Sequence, residues 1–460
     1  MSDRFALTGA RIFDGDDWHD DAALVVRDGL VEAIVAAGAV PSGVERIETG
    51  GGMLAPGFVD LQVNGGGGVM LNDHPDVASI ETICRAHAPF GTTALLPTLI
   101  TDTPAITAAA VAAGVEAAQQ KVPGFLGLHL EGPHLSIARK GAHDPALIRP
   151  MLDADQAVLV AARKTLPVLL TTVAPESVDP ERVSALVEAG LVVSLGHSDT
   201  FYAKARAFAD AGATMVTHLF NAMSQIGNRE PGLAGAAIDT GTLFAGIIAD
   251  GIHVDPAAMA IALRAKQGPA KIFLVTDAMA TIGTDMTSFT LNGRAVYRRD
   301  GSLRLADGTL AGADLDMISA VRFVHRVVGL DLSEALRMAS LYPAQAIGQS
   351  HRLGRFANGT AADIVALSDE LDVKGVWIEG KRVFEVGVAK GAQDISRLAR
   401  SLKRLVAQLS LLSTITWAGA GSRGADGLVG FGSRRRTAGA AATSFLAANS
   451  SWFFSMSSSL

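Results

Sequence analysis

Gly127-Leu-His-Leu-Glu-Gly-Pro-His134 follows directly on Phe125-Leu126. The apolar run from Phe125 to Leu130 predicts a strand. Glu131 is then a carboxylate at the point where that strand breaks, at Gly-Pro, into a loop. Three later segments end in the same way: Leu191-Val-Val-Ser-Leu-Gly-His197, Thr214-Met-Val-Thr-His218 and Lys271-Ile-Phe-Leu-Val-Thr-Asp277. A closed parallel α/β barrel keeps its chemistry at the carboxyl ends of its strands. Glu, His, His and Asp delivered by four such ends therefore read as one converging site. One carboxylate and two neutral imidazoles, Glu131, His197 and His218, are a common ligand set for a catalytic zinc with a position left open. Asp277 is then the acid/base.

The rest of the middle of the chain alternates in kind. Strands are predicted at Thr93 to Leu99, Val168 to Val173 and Phe244 to Ala249. Helices are predicted at Thr103 to Gln120, near Ala154 to Arg163, and at Asp179 to Ala189, Tyr202 to Ala211, Pro256 to Ala265, Leu315 to Val328 and Ser333 to Ile347. Nearly continuous apolar strands separated by helices imply a parallel sheet covered on its faces. Seven or eight units favour closure, a (β/α)8 TIM-type barrel over residues 55–349. No Gly-x-Gly-x-x-Gly opens a helix after the first strand, which leaves a dinucleotide fold without support. Residues 1–54 and 350–391 read instead as short strands, among them Phe5 to Phe13 and Val373 to Ile378. We expect them to form one small β-sandwich from both chain ends. Ser288 to Leu310, with Asn292-Gly293, Asp300-Gly301 and Asp307-Gly308, predicts a hairpin excursion beside the site mouth.

Composition sets limits. A chain of 460 residues with 49% hydrophobic and 18% charged residues can bury a large core. A net charge of -7 gives no reason to expect nucleic acid or an anionic membrane as partner. The lone Cys84 allows no intrachain disulfide, the N-terminus opens no signal pattern, and no apolar run is long enough to span a bilayer. A cytoplasmic protein is expected. From 392 to 460 the character changes to Gly, Ala, Ser and Arg, with a basic amphipathic helix suggested over 396–412. That segment is either a disordered appendage or out-of-frame translation past a natural end.

Other polar groups cluster near the same strand ends. Gln62 and Asn64 share one face of the first barrel strand. They either hydrogen-bond a metal's water or shape the wall. Gly65 to Gly68 read as a flexible stretch. His143, in the loop after Glu131, is either a solvated residue or a group that polarises a substrate carbonyl. Asn221, Ala222, Arg229 and His253 together offer what an anion such as phosphate needs, although a lone Arg229 is ordinarily surface. His87, His129, His134 and His325 read as structural.

These residues carry a resemblance. Pro56-Gly-Phe-Val-Asp-Leu-Gln-Val-Asn-Gly65, His129-Leu-Glu-Gly-Pro133, Lys140-Gly-Ala-His143, Leu195-Gly-His-Ser198, Thr217-His-Leu-Phe-Asn-Ala-Met223, Ala249-Asp-Gly-Ile-His253, Val275-Thr-Asp277 and Leu310-Ala-Gly312 occur in order over residues 1 to about 390. The chain resembles the N-acetylglucosamine-6-phosphate deacetylases of the amidohydrolase superfamily. The resemblance implies a barrel with a β-sandwich, a homodimer, and hydrolysis of the acetamide to glucosamine 6-phosphate and acetate. It also implies a metal site of Glu131, His197 and His218, and Asp277 as acid/base. His143 is implied at the acetamide, and Asn221, Ala222, Arg229 and His253 at sugar or phosphate. Many amidohydrolases have His-x-His where this chain has Gln62-Val-Asn64. The amide version goes with one divalent ion per chain, zinc first, with iron, cobalt or manganese as alternatives. Leu310 to Met317 departs from the family's Ser-rich pattern and adds the charges of Asp314 and Asp316. The competing readings are another amidohydrolase reaction on a related N-acyl amino-sugar phosphate and a non-catalytic sugar-phosphate binder.

Overall fold

The computed structural model describes residues 3–386. The appendage at 392–460, the helix suggested at 396–412, and residues 387–391 of the expected sandwich lie outside them.

Eight parallel strands form the centre: β1 (Phe58–Val63), β2 (Thr92–Ile100), β3 (Leu128–Glu131), β4 (Leu169–Val173), β5 (Val192–Leu195), β6 (Met215–Val216), β7 (Phe244–Ile248) and β8 (Ile272–Val275). Each pairs with the next in chain order, from β1 to β8. Every residue of β1, β2, β3, β4 and β8 is buried, as strands covered on both faces require. The barrel closes between β8 and β1. Asp277 N–H donates to the Gln62 carbonyl (3.0 Å) and Asn64 N–H to the Ala278 carbonyl (2.8 Å). Asp60 adds a side-chain clasp, accepting from the Thr276 hydroxyl at 2.5 Å and the Thr276 N–H at 3.3 Å.

The helices around the barrel are α1 (Val77–His87), α2 (Pro104–Gln120), α3 (Asp153–Arg163), α4 (Pro180–Glu188), α5 (Tyr202–Asp210), α6 (Gly232–Asp239), α7 (Pro256–Ala265), α8 (Met317–Arg326), α9 (Leu332–Ala339) and α10 (Leu341–Ala346). Two of them were not expected from the sequence. The start of α1 is capped by Asp76, which accepts from Ser79 N–H, and Ile80, Ile83, Cys84 and His87 face inward. Helix α6 is buried from Gly232 to Ile238, so it has no polar face to give a helical period. The single helix expected over Ser333 to Ile347 is two. Ser340 leaves the helical region (φ -130°, ψ -70°), and its hydroxyl turns back to the Leu336 carbonyl at 2.7 Å. Pro343 then sits in the first turn of α10, where its missing N–H costs nothing.

Two further sheets form the sandwich. One holds Leu30–Ala36, Ala22–Arg27, Arg4–Thr8 and Glu45–Glu48; the other holds Lys381–Glu385, Val373–Ile378, Ile364–Leu367, Met53–Pro56, Arg11–Phe13 and Trp18–His19, both in spatial order. Phe5, Leu7, Leu24 and Val26 of the first pack with Ile12, Leu54, Ile364 and Trp377 of the second. The strand expected over Phe5 to Phe13 is thus two strands in different sheets. They part at Gly9, whose φ of 81° makes the corner.

The excursion after β8 is a four-stranded antiparallel meander, β9 (Ser288–Leu291), β10 (Arg294–Arg299), β11 (Ser302–Leu305) and β12 (Leu310–Ala313). Asn292-Gly293 and Asp300-Gly301 are its tight turns, with positive φ at both residues of each pair. Gly65 to Gly68 are a second small hairpin, not a flexible stretch. Gly65 and Gly66 pair with Met70 and Val69, and a Cβ on Gly66 would lie 2.9 Å from the His87 ring. Among the described residues no helix is long and apolar enough to cross a membrane.

Burial pushes Asp60 from its ordinary 3.8 up to about 7, against the lowering bonds from Thr276 and Gln62. A raised carboxyl pKa stabilises the fold fully below the unfolded value and loses that contribution as pH rises through about 7. Asp60→Asn keeps an acceptor and cannot ionise. Its melting temperature relative to the parent should therefore rise between pH 4 and pH 8. A difference that stays flat over that range would mean that Asp60 does not carry this burial cost.

Candidate active site

Four strand ends deliver the expected residues to one place. Glu131 is the last residue of β3. His197, His218 and Asp277 each lie just past a strand, in the left-handed region at φ 47°, 28° and 51°. For non-glycine residues that conformation costs roughly 1–3 kcal/mol and persists only where surrounding structure fixes it. The turn swings each side chain into the barrel mouth instead of along the sheet.

Glu131 Oε1 lies 3.1 Å from His197 Nε2 and 3.0 Å from His218 Nε2, and the two nitrogens are 3.1 Å apart. Donors bonded at ~2.0–2.2 Å to one central ion lie ~3.0–3.5 Å apart, according to the angle between them. The near-equilateral triangle fits a single ion. Glu131, His143 and His197 form a second group tight enough to hold a metal, so the third vertex must be chosen on chemistry. His143 Nδ1 accepts from the Thr101 N–H (3.4 Å) and pairs with the Thr101 hydroxyl (2.7 Å). A neutral ring that accepts at Nδ1 carries its proton on Nε2, and that atom is 3.9 Å from Glu131 Oε2. His143 thus presents a donor, not a ligand lone pair. His197 is the reverse case. Its Nδ1 faces the Arg139 carbonyl at 2.9 Å, which can only accept, so its Nε2 lone pair is free for a metal. His218 Nδ1 is buried without a partner among the described residues.

The second carboxylate is held by amides. Asn64 Nδ2 donates to Asp277 Oδ1 (2.6 Å), and Gln62 Nε2 bridges Asp277 Oδ1 (3.2 Å) and Glu131 Oε1 (3.1 Å). Burial, and then the charge of Glu131, push Asp277 up to about 6. Burial would raise Glu131 too, but bonds from His197 and His218 outweigh it and hold it well below the usual carboxylate range. Burial works to lower His218, yet Glu131 raises it above its ordinary value, the same attraction that would serve a cation. Burial first, then His197, lower His143 to about 3, which keeps it neutral.

A cavity of about 560 Å3 opens over this centre. Asn64, Glu131, His143, His197, His218, Asn221, Ala222, His253 and Asp277 all line it. Gln62 sits behind, buried against both carboxylates. Arg229 does not line it and lies in the exposed stretch 225–230. His253 Nδ1 pairs with Asp250 Oδ2 at 2.6 Å, so the far nitrogen of its ring is left for a ligand. Neither Asp314 nor Asp316 lines the cavity. Asp314 pairs with Arg298 (2.6 Å) and Thr281 (3.0 Å), and Asp316 caps α8 through Ser319 N–H. Two residues of the site were missed in the sequence: Thr101, which sets the His143 tautomer, and Arg304, which reaches the cavity from β11. Thr101 could have been found as the polar residue ending an apolar strand.

The site and the barrel together are those of a metal-assisted amide hydrolase. The profile of the Amidohydrolase family matches residues 53–383, and that of the NagA composite domain matches residues 4–54. An N-acetylgalactosamine-6-phosphate deacetylase of Shewanella sp. (strain ANA-3) is 41% identical over 84% of this chain and 97% of its own. An N-acetylglucosamine-6-phosphate deacetylase of Haemophilus influenzae is 35% identical over 82% and 99%. The crystal structure of N-acetylglucosamine-6-phosphate deacetylase from Pasteurella multocida superimposes with a TM-score of 0.80 at 37% identity, covering 82% of this chain and 99% of that one. The chain belongs to the amidohydrolase family.

The choice of third ligand can be tested by elemental analysis. His218→Ala should be purified without metal, and His143→Ala should keep it. The opposite pattern would assign the ion to the triad that includes His143.

Proposed function

We propose that the chain hydrolyses the acetamide of an N-acetylhexosamine 6-phosphate, N-acetyl-D-glucosamine 6-phosphate in the first instance, giving D-glucosamine 6-phosphate and acetate. The observation that carries this reading is the neutral His143 Nε2–H facing the same cavity as the Asp277 carboxylate and the Glu131–His197–His218 triangle. A sugar-phosphate binder would need none of these three. N-acetyl-D-galactosamine 6-phosphate is the second reading, favoured by the name of the Shewanella relative; the two sugars differ only at C4.

Glu131, His197 and His218 would hold one divalent ion, zinc first, with iron, cobalt or manganese as alternatives. When bound, such an ion supplies acidified water and positive charge beside the reacting carbonyl. The chain's own groups do the rest. His143 Nε2–H donates to the acetamide oxygen as negative charge builds there. Asp277, steadied by Asn64 and Gln62, takes the proton of the attacking water as its oxygen bonds to the carbonyl carbon. The C–N bond then breaks, and the same carboxyl returns the proton to the leaving nitrogen. Asn221, Ala222 and His253 line the same cavity and bind the sugar and its phosphate. Of the expected sandwich, residues 1–54 and 350–391, the described part, 3–54 and 350–386, serves as a supporting domain to the barrel. The lone Cys84 is buried, which suits a cytoplasmic enzyme.

Arg229 lies outside its own cavity, which supports a homodimer in which it reaches the partner's site. Mixing subunits tests this. Arg229→Ala and Asp277→Asn chains, each nearly inactive at low substrate, should regain activity when allowed to form hybrids. No recovery in verified hybrids would put Arg229 in its own site or in none.

Acetate release from the two phosphorylated epimers, beside unphosphorylated N-acetylglucosamine, tests the reaction. The phosphorylated sugars should be strongly preferred, and equal turnover of all three would overturn the reading. Asp277→Asn should keep its metal while kcat falls ~10²–10⁴-fold, the usual worth of a positioned acid/base. Because Asp277 must be ionised to accept the proton, the parent rate should fall as pH drops through about 6, or lower with the ion's charge beside it. A metal-loaded Asp277→Asn enzyme of near-parental kcat would remove Asp277 from the chemistry.

A further inference from the structure

The meander β9–β12 lines part of the cavity and is fastened to the loop that carries His143. Arg294 on β10 donates through Nη2 to the Ala142 carbonyl, next to His143. Arg298 pairs with Asp314 at 2.6 Å and donates to the Thr284 carbonyl at 3.0 Å. At the β10–β11 turn, a Cβ built on Gly301 would lie 3.9 Å from Ile252 Cδ1, beside His253. The meander and the residues that follow it give the cavity Leu291, Arg304 and the run from Gly308 to Gly312.

Basic groups at this mouth differ in what they have to spare. Arg139 also lines the cavity, but Asp199 answers its charge at 2.7 Å. Arg298 is answered by Asp314. Arg304 is in no ion pair among the described residues. Its Nε donates to Ser302 Oγ (3.1 Å) and its Nη1 to the Gly308 carbonyl (3.0 Å), both within the meander. Those bonds fix the plane of the guanidinium and leave donors over for a ligand. The carboxylate of the same turn, Asp307, accepts from Thr309 N–H (3.0 Å) and feels the charge of Lys140 instead.

We infer that Arg304 binds the phosphate of the substrate, making the meander a recognition roof whose anion-binding group is this arginine. The inference rests on the sugar-phosphate reading of the site. A planar, pre-aimed guanidinium is well matched to phosphate oxygens. It would act from above the mouth, with His253 on the β7 side.

The test compares parent, Arg304→Ala and Arg304→Lys, each with its melting temperature checked. The substrates are the faster phosphorylated epimer and unphosphorylated N-acetylglucosamine, with inorganic phosphate as competing inhibitor. Arg304→Ala should raise KM for the phosphate ester about tenfold, with kcat within about twofold of parental. It should weaken inhibition by phosphate to a similar degree and leave the unphosphorylated sugar unaffected. Arg304→Lys should recover part of the loss. An unchanged KM and inhibition constant, or an equal loss on both sugars, overturns the role of Arg304 while leaving the reaction intact. A parent enzyme with no preference for the phosphate ester would instead overturn the reading of function, and this inference with it.

Discussion

Glu131 Oε1 meets two imidazole nitrogens and one amide N–H within 3.1 Å, and the residue is buried. Most of the site follows from keeping that carboxylate ionised. An ionised carboxylate is expensive to bury unless it is paired and fully hydrogen-bonded. Asp277, joined to Glu131 through Gln62, doubles the difficulty, since two like charges so close resist ionising together. The pair is held apart in pKa by unequal partners. Glu131 has two imidazoles, while Asp277 has only amides, so Glu131 stays a ligand-type anion and Asp277 is left where it can exchange a proton. Gln62 and Asn64 satisfy carboxylate oxygens with neutral N–H groups.

That arrangement is carried by backbone held away from its preference. His197, His218 and Asp277 all take the left-handed turn directly after their strands. The barrel imposes it through bonds on either side, such as Leu219 N–H to the Gly246 carbonyl (2.7 Å) and Ala313 N–H to the Asp277 carbonyl (2.8 Å). The second of these ties β12 to the main-chain carbonyl of Asp277. The meander is therefore more than a cover, because it helps fix the turn that aims Asp277.

Much of this was legible because barrel strands are buried on both faces. Such strands read as apolar runs, and a polar residue at the end of one stands out, as Glu131, His197, His218 and Asp277 all do. Turn chemistry was equally plain at Asn292-Gly293 and Asp300-Gly301. What failed was whatever depends on partners distant in sequence. The role of His143 turns on its tautomer, which Thr101, 42 residues earlier, decides. Helix α6 hid because every side of it but the last residue is buried, and Gly65 to Gly68 read as loose because nothing local reveals the His87 ring packed against them. Asp314 looked like added charge because Arg298, its partner, is not visible as such in a list of residues.

The division between strand ends and roof has an electrostatic reason. A sugar phosphate carries a dianion at one end and a neutral acetamide at the other. With one divalent ion bound, Glu131 and Asp277 would leave the floor with no surplus positive charge for the first and room for the second, and the net charge of -7 makes approach no easier. Cationic side chains at the floor would draw the phosphate to the wrong place and compete with a divalent ion for Glu131. A guanidinium at the mouth, Arg304 on the inference above, avoids both problems. It would hold the dianion at the rim and leave the neutral amide as the end that can descend to His143 and Asp277. With the carboxylates on the strand ends and Arg304 on the meander, the same charges that the chemistry needs would select one orientation of the substrate.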